Sequence, residues 1–353
     1  MRQNRDMTPP VEIDALLPVD GQLDVSSLRR FLDAHVVAGL DVVDHAAGTT
    51  TRSVDGPHGP AVATIFWPKA GRDEATIAET AATAEAASPS TRSVPTLGRS
   101  RNGHTRSAQP SQAVSSSVRV HLVLSHGDDR DAVVALLRRW LDLDADSERI
   151  AAGLGRDGRL GPLVAARPGL RIPGSVNGAE TALFTVLGQQ VSLAAARTFQ
   201  GRLVATLSPM NALGFRSSPD PAAVADAHTE DLRAALGITR SRVAALQALA
   251  RVLADGLELA PHVDHADARR RLLAVKCIGP WTADYVALRC LRDDDAFPSG
   301  DLILRRALGA TTPAEAIRLA EPWRPWRGYA TLHLWTAAVF VDAQQPADAL
   351  PPA

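Results

Sequence analysis

The sequence predicts an α+β protein: an antiparallel β-sheet with accompanying helices in its first half, followed by an all-helical second half. Three observations carry this. Short β-branched segments broken by Gly or Pro cluster before residue 125, helical apolar periodicity recurs from Ser175 onward, and a Pro- and Gly-rich stretch separates the two regions. They place an N-terminal domain at residues 1–165 and a helical domain at residues 170–345. With 353 residues, 45% of them hydrophobic, the chain is long enough to bury two cores.

Taken in order, residues 25–37 place Leu28, Phe31, Leu32 and Val36 at helical spacing. Residues 40–44, 49–54 and 60–66 read as strands, 118–124 (VRVHLVL) as the returning strand of the same sheet, and 129–141 as a helix packed on it. Between them, residues 69–117 shift to Ala, Thr, Ser, Pro and Gly with almost no large apolar side chain. Such a stretch cannot offset its ordering entropy by burial and reads as a disordered insertion, although 73–87 has helix-forming composition. Residues 163–174 (LVAARPGLRIPG) form the expected hinge. Helices follow at 178–191, 193–207, 229–236, 240–254, 266–275, 280–291, 301–309, 313–320 and 328–343, most opened by Ser, Thr, Asp or Pro and several closed by Gly.

Composition narrows the function classes. No run of eighteen apolar residues suggests a transmembrane helix, and the start lacks the apolar core of a secretion signal, so a cytoplasmic location is expected. Two cysteines, Cys277 and Cys290, are too few for a disulfide framework, an iron–sulfur cluster or a zinc site. The 38 basic and 39 acidic residues balance, and residues 171–342 hold 19 Arg plus Lys against 17 Asp plus Glu. Bulk charge is therefore not that of a protein that coats nucleic acid. Any such contact must run through a local face and backbone amides.

One stretch offers such a face. Residues 272–288 (LLAVKCIGPWTADYVAL) read as a helix ending near Val275, a tight hairpin of Lys276, Cys277, Ile278 and Gly279, and a new helix beginning with Trp281 and Thr282. A Gly before a helix start leaves the first backbone N–H groups free, and with the helix dipole they form a site for one phosphate. An αα-hairpin alone is common. Here an acid follows at a set distance: Asp301 opens another helix 20 residues beyond Trp281.

This order of hairpin, helix and helix-opening acid, together with VLGQQVSLAAAR at 186–197, LVAARPGLRIPG at 163–174 and EPWRPWRGYATLHLW at 321–335, resembles the bacterial DNA-3-methyladenine glycosylase II family of the helix-hairpin-helix DNA glycosylase superfamily. The resemblance spans nearly the whole chain outside 69–117. It implies an N-terminal half like the TATA-binding-protein sheet and an all-α glycosylase core of two helical subdomains. It also implies a monomer that acts on double-stranded DNA, flips out alkylated purines of the 3-methyladenine and 7-methylguanine class, and hydrolyses their N-glycosidic bond.

That chemistry builds an oxocarbenium-like sugar cation, which a nearby carboxylate stabilises while orienting water. Asp301 is the candidate; the plainer reading is an acid that only favours the helix dipole. Electron-rich rings can discriminate a cationic flipped base, and Trp281, Tyr285 and Trp335 match the family positions that line this pocket, with core packing as the alternative. Trp281 stands where bifunctional relatives carry a Schiff-base lysine, which implies a monofunctional enzyme without lyase activity. Gln190, after Leu-Gly-Gln, matches the loop that props the emptied duplex. Lys276 is either a phosphate contact or a solvated charge. Arg327 and His333 are given no catalytic role. The four arginines between residues 92 and 106 offer, as a lesser alternative to disorder, a DNA-contacting loop.

Family members coordinate a monovalent or divalent cation through hairpin carbonyls, here that of Cys277 among them; no other cofactor is implied. Cys277 replaces a hairpin glycine at a position that often needs positive φ. Leu302 replaces an aromatic, and Ser299 and Gly300 depart from the acidic pattern before the catalytic position. Two rivals remain: a helix-hairpin-helix DNA-binding protein without chemistry, and a glycosylase for oxidised or deaminated bases.

Overall fold

The computed structural model of the chain describes residues 9–68 and 117–339. The 69–117 insertion, its helix-prone 73–87 stretch and its arginines lie outside the described residues, except for Ser117, which begins the last strand. Five strands, β1 (Val11–Pro18), β2 (Asp41–Asp44), β3 (Thr49–Asp55), β4 (Pro60–Phe66) and β5 (Ser117–Leu124), form one sheet in the order β1-β5-β4-β3-β2. Every neighbouring pair is antiparallel. β5 alternates as its sequence demands, burying Val118, Val120, Leu122 and Leu124. β1 is the strand that composition did not reveal. It sits at the sheet edge with Leu16 and Val11 exposed, held by backbone pairing from Val11–Leu124 to Pro18–Ser117 and by an inner face of Ile13, Ala15 and Leu17 packed on the core.

The first half also carries α1 (Val25–Ala34), α2 (Arg130–Leu141), α3 (Ser147–Leu154) and α4 (Leu160–Ala166). α1 turns Leu28, Phe31 and Leu32 inward and is capped by Asp24, whose carboxylate accepts from Ser27 N. The second half is helical throughout: α5 (Gly178–Gly188), α6 (Leu193–Leu207), α7 (Pro221–Asp226), α8 (Thr229–Leu236), α9 (Arg240–Ala254), α10 (His265–Ala274), α11 (Pro280–Val286), α12 (Leu302–Leu308), α13 (Pro313–Ala320) and α14 (Arg327–Val339). Side-chain caps from Asn177, Ser192, Asp220, Thr239, Asp264, Asp301 and Thr312 open seven of these helices by accepting an otherwise unpaired amide. The short α3, α4 and α7 were not anticipated. A turn or two of helix carries too few apolar positions to show a period. One continuous hydrophobic core runs from the strands into the helical half.

The expected hinge at 163–174 is not one. α4 occupies its first residues, and the remainder is fastened by Arg171, which is 2% exposed. Its guanidinium donates to four carbonyls, those of Asp142, Ala145, Asp20 and Gln22. Asp142, fully buried with φ 56° at the end of α2, is the complementary anchor. Its carboxylate accepts from Ile172 N at 3.0 Å and the Tyr329 hydroxyl at 2.8 Å, and it pairs with Arg292. Thus α2, the 170s coil, the end of the site helix and α14 meet on one side chain. The Pro and Gly that suggest flexibility instead free the backbone to receive these bonds.

Two stability predictions follow from these groups. Asp142→Ala leaves Arg292 and the Tyr329 hydroxyl without their buried partner and should lower the unfolding free energy by about 3–5 kcal/mol. Tyr329→Phe removes one donor and should cost about 1–1.5 kcal/mol; urea melts that reverse this order contradict the assignment. The second concerns His333, 3% exposed, whose Nδ1 has no partner and whose pKa is held down to about 4 by burial and the Arg167 charge. Only the unfolded state takes up a proton between pH 6.5 and 4, so the stability this neutral ring supports is present above 6.5 and lost toward 4. Against His333→Leu, the wild type should lose about 2–3 kcal/mol of relative stability over that window. A parallel pair of stability–pH curves would refute the shift.

Candidate active site

The carboxylate of Asp301 is where the helical half converges. Asp301 caps α12 with extended backbone (φ −66°, ψ 128°), and its Oδ1 accepts from Leu304 N at 2.8 Å. Oδ1 also accepts from Trp335 Nε1 at 3.1 Å, and Oδ2 from Trp281 Nε1 at 3.0 Å. A carboxylate offers about four lone-pair sites. Three are taken, and one on Oδ2 remains. The acid therefore does more than cap its helix: two indoles from α11 and α14 fix its plane.

The same rings form an aromatic wall. Trp281 and Tyr285 stack with centroids 5.4 Å apart and planes 15° apart, while Tyr285 and Trp335 tilt at 44° with centroids 6.2 Å apart. They line a cavity of about 370 Å³ with Asp301 and Ile303. All four residues named from the sequence for catalysis and the pocket are thus adjacent. Leu302, considered as a pocket residue, is 59% exposed and does not line the cavity; Ile303 does. A helix start turns neighbouring side chains to different faces, so the substitution at 302 bears less on pocket width than its position suggested.

Sequence reasoning missed Arg289. It lies in the π-turn Ala287–Leu291 that continues α11, a local widening often found where function overrides regular packing. Its Nη1 donates to the Tyr285 hydroxyl at 2.6 Å, Nη2 to Gly174 O at 3.0 Å and Nε to Pro173 O. Its guanidinium stands 4.7 Å from the Phe31 ring centroid and 5.5 Å from that of Tyr285. The spacing of Tyr285 and Arg289, one helical turn, was a readable signal. Phe31 and His35 were not readable, because they come from α1 and its end and reach the cavity only through tertiary packing. The far part of the cavity holds the buried Arg52, whose guanidinium pairs with Asp41 at 2.6 Å and with Glu180.

The hairpin is formed as expected and Cys277 adopts φ 73°, the left-handed conformation a glycine takes more easily. Lys276 and Cys277 are exposed, but Ile278 is 6% exposed and its amide already donates to Val275 O. Ile278 therefore anchors the hairpin with its side chain, and its amide is not free for a ligand. Among the described residues the amides of Cys277 and Gly279 meet no backbone acceptor. Gln189, not singled out from the sequence, ties the hairpin to α5: its Nε2 donates to Thr282 Oγ1 at 2.9 Å and lies 3.5 Å from Cys277 O, while Arg242 holds its carbonyl at 2.7 Å. Its neighbour Gln190 is exposed with φ 54° and no side-chain partner among the described residues. Arg327 is bound by both ends to Asp295 at 2.7 Å, and His333 is buried away from the cavity lining. Neither joins the site.

Comparison with known proteins places this geometry in a family. Residues 99–177 match the AlkA N-terminal domain, a match that begins inside the 69–117 segment, and residues 183–321 match the HhH-GPD superfamily base excision DNA repair protein. Trp281, Tyr285 and Asp301 fall within the second match; Trp335 lies beyond it and rests on geometry. The chain is 43% identical over 231 residues to the "probable bifunctional transcriptional activator/DNA repair enzyme AlkA" of Mycobacterium tuberculosis, covering 62% of this chain but 45% of that protein, so it spans about half of that relative's length. It is 36% identical over 236 residues to DNA-3-methyladenine glycosylase 2 of Escherichia coli, covering 65% of this chain and 79% of that one. Among solved structures, the 3-methyladenine DNA glycosylase from Archaeoglobus fulgidus shares the fold with a TM-score of 0.69 at 18% identity, over 93% of this chain and 98% of that one. Two matched domains in order, and identity that extends over most of the Escherichia coli protein, show that this chain belongs to the DNA-3-methyladenine glycosylase 2 family of HhH-GPD base excision DNA repair proteins.

Proposed function

We propose that the chain is a base-excision repair glycosylase that flips alkylated purines of the 3-methyladenine and 7-methylguanine class out of duplex DNA and hydrolyses their N-glycosidic bond through Asp301. The single observation that carries this is the Asp301 carboxylate, fixed by two indole N–H groups and one backbone amide at a cavity walled by stacked aromatic rings. The free lone pair on Oδ2 is available to the sugar cation or to the attacking water. An alkylated purine is cationic and leaves readily, so recognition matters more than acid catalysis. Trp281, Tyr285 and Trp335 offer π faces to it. Asp301, Asp41 and Glu180 also outnumber the Arg52 and Arg289 guanidiniums in the lining, a balance that favours a cation.

DNA contact is assigned to the hairpin and to Gln190. The amides of Cys277 and Gly279 and the exposed Lys276 suit one phosphate, and the unpartnered Gln190 suits the space a flipped base leaves. A monovalent or divalent cation on the hairpin carbonyls fits the same picture, since Cys277 O has only the long contact from Gln189. Such an ion would orient the hairpin toward a phosphate. The position before Thr282 is Trp281, and Lys69 and Lys276 are the only lysines in the sequence. This supports a monofunctional enzyme.

Asp301→Asn keeps a good helix cap, so its melting temperature should stay near that of wild type. Release of 3-methyladenine and 7-methylguanine from methylated DNA should fall at least about 100-fold. Equal release by both proteins would remove Asp301 from the chemistry, and no release by either would leave a DNA-binding protein without activity. Borohydride added during turnover should trap no protein–DNA adduct, with strand breaks appearing only after alkali. A trapped adduct on a gel would show a lyase and an amine nucleophile.

A further inference from the structure

The cavity contains a group that the reaction above does not use. His35 follows α1 as its C-terminal cap and lines the cavity from the sheet half, together with Phe31 and Val36. Its ring stacks on Phe31 with centroids 4.1 Å apart and planes 18° apart. Beyond Phe31 lies the Arg289 guanidinium, and beyond that the Tyr285 and Trp281 rings, so His35 is the sheet-side end of the stack that walls the pocket.

Its proton inventory is fixed by one contact. His35 Nδ1 lies 2.7 Å from Phe31 O. A carbonyl oxygen can only accept, so Nδ1 carries the hydrogen and donates it. Burial and the adjacent Arg289 charge hold the ring's pKa down to about 4, so near neutral pH it carries no second proton. Nε2 is then a bare lone pair. No described residue donates to it, and the ring lines the cavity. The stacking on Phe31 and the Nδ1 bond together fix the ring plane, which fixes the direction of that lone pair.

We propose that His35 is a specificity-determining residue of the pocket, whose Nε2 accepts a hydrogen bond from an N–H donor on the edge of the flipped purine. The substrate class it selects is a purine that keeps an amine or ring N–H on that edge: the exocyclic amine of 3-methyladenine, or the N1–H and amine of 7-methylguanine. A purine whose edge has lost its donors, such as 1,N6-ethenoadenine, leaves Nε2 unpaired. A site built to accept from a donor rejects the analogue that lacks it, because the buried acceptor is then stranded. The aromatic faces recognise positive charge and π surface, and π surface at least is offered by both kinds of lesion. His35 adds the discrimination those faces cannot supply. Asp301 and the indoles come from the helical half and this acceptor from the sheet half, so the two halves divide reaction and recognition.

The inference rests on the glycosylase reading, and one experiment separates the two. Wild type, His35→Phe and His35→Asn are compared for excision of 7-methylguanine and 3-methyladenine from methylated DNA, for excision of 1,N6-ethenoadenine from an oligonucleotide duplex, and for melting temperature. Phe keeps the stack on Phe31 and removes the acceptor; Asn restores an acceptor. In His35→Phe, kcat/KM on both methylpurines should fall about tenfold, ethenoadenine excision should rise because no acceptor is left stranded, and the melting temperature should stay at the wild-type value. His35→Asn should recover part of the loss. Unchanged methylpurine release in His35→Phe overturns the proposal, as does a loss of equal size on ethenoadenine. Wild-type protein that releases no base at all overturns the glycosylase reading and this inference with it.

Discussion

The site depends on one constraint: a carboxylate at a helix start must be aimed into a cavity instead of being consumed by its own helix. Asp301 spends one lone pair of Oδ1 on Leu304 N, as an N-cap does, and the two indoles take one more on each oxygen. Those indoles come from α11 and α14, so the position of the acid is set by three helices and not by α12 alone. The bonds act in both directions. An indole with its N–H fixed has lost rotation about its ring, so the acid also orients the rings that wall the cavity. Acid and aromatic wall are one unit, and neither could be moved without the other.

That unit would be loose without the second half of the wall. Arg289 binds the Tyr285 hydroxyl and two carbonyls of the 170s coil, and the coil is itself fastened to the sheet side by Arg171 and Asp142. The chain of fixed groups thus runs from the β1–α1 connection, through a segment whose composition suggests flexibility, to the ring that stacks on Trp281. A guanidinium suits this task because its planar fork serves several acceptors while its face lies against Phe31 and Tyr285. Its charge also bears on His35, keeping that ring neutral and its acceptor free. A single buried cation therefore positions one wall of the pocket and adds to the burial that keeps the His35 ring neutral on the other.

How much of this was legible in the sequence follows from the range of each interaction. Helices with several turns, the central strands and the capping residues were readable because their signals are local and periodic. So was Asp301, since a hairpin followed at a set distance by a helix-opening acid is a pattern within about thirty residues. β1 was not, because on this edge strand only Leu17 is fully buried and the exposed neighbour Leu16 is also apolar, so the face of Ile13, Ala15 and Leu17 prints a weak period. The 163–174 segment was misread because Pro and Gly announce irregular backbone without saying whether it moves; the answer lay in Arg171 and in Asp142, which approaches from a different helix. The burial of the Ile278 side chain was not legible for a similar reason. Its position in the hairpin suggested a contact surface, whereas its side chain is the apolar plug that holds the hairpin down. Phe31 and His35 were beyond reach, since nothing near residue 35 mentions residue 301.

The charge balance, which argued against nucleic acid, gains a different meaning from the geometry. A protein that searches DNA by bulk charge needs a basic face, but one that must accept a cationic base is poorly served by surplus positive charge around its pocket. Here the two demands are separated in space. Exposed Lys276 and the free hairpin amides offer backbone contact on the outside, and amides attract phosphate without adding charge to the cavity. Inside, three carboxylates face two guanidiniums; Arg52 pairs with Asp41 and Glu180, and Arg289 donates to the Tyr285 hydroxyl and two backbone carbonyls. The lining, with three acids and two arginines, carries the formal charge of −1 that the whole chain has, so the rest is balanced: phosphate contact falls to the hairpin, and the pocket stays mildly anionic. A more basic sequence would strengthen the first at the expense of the second.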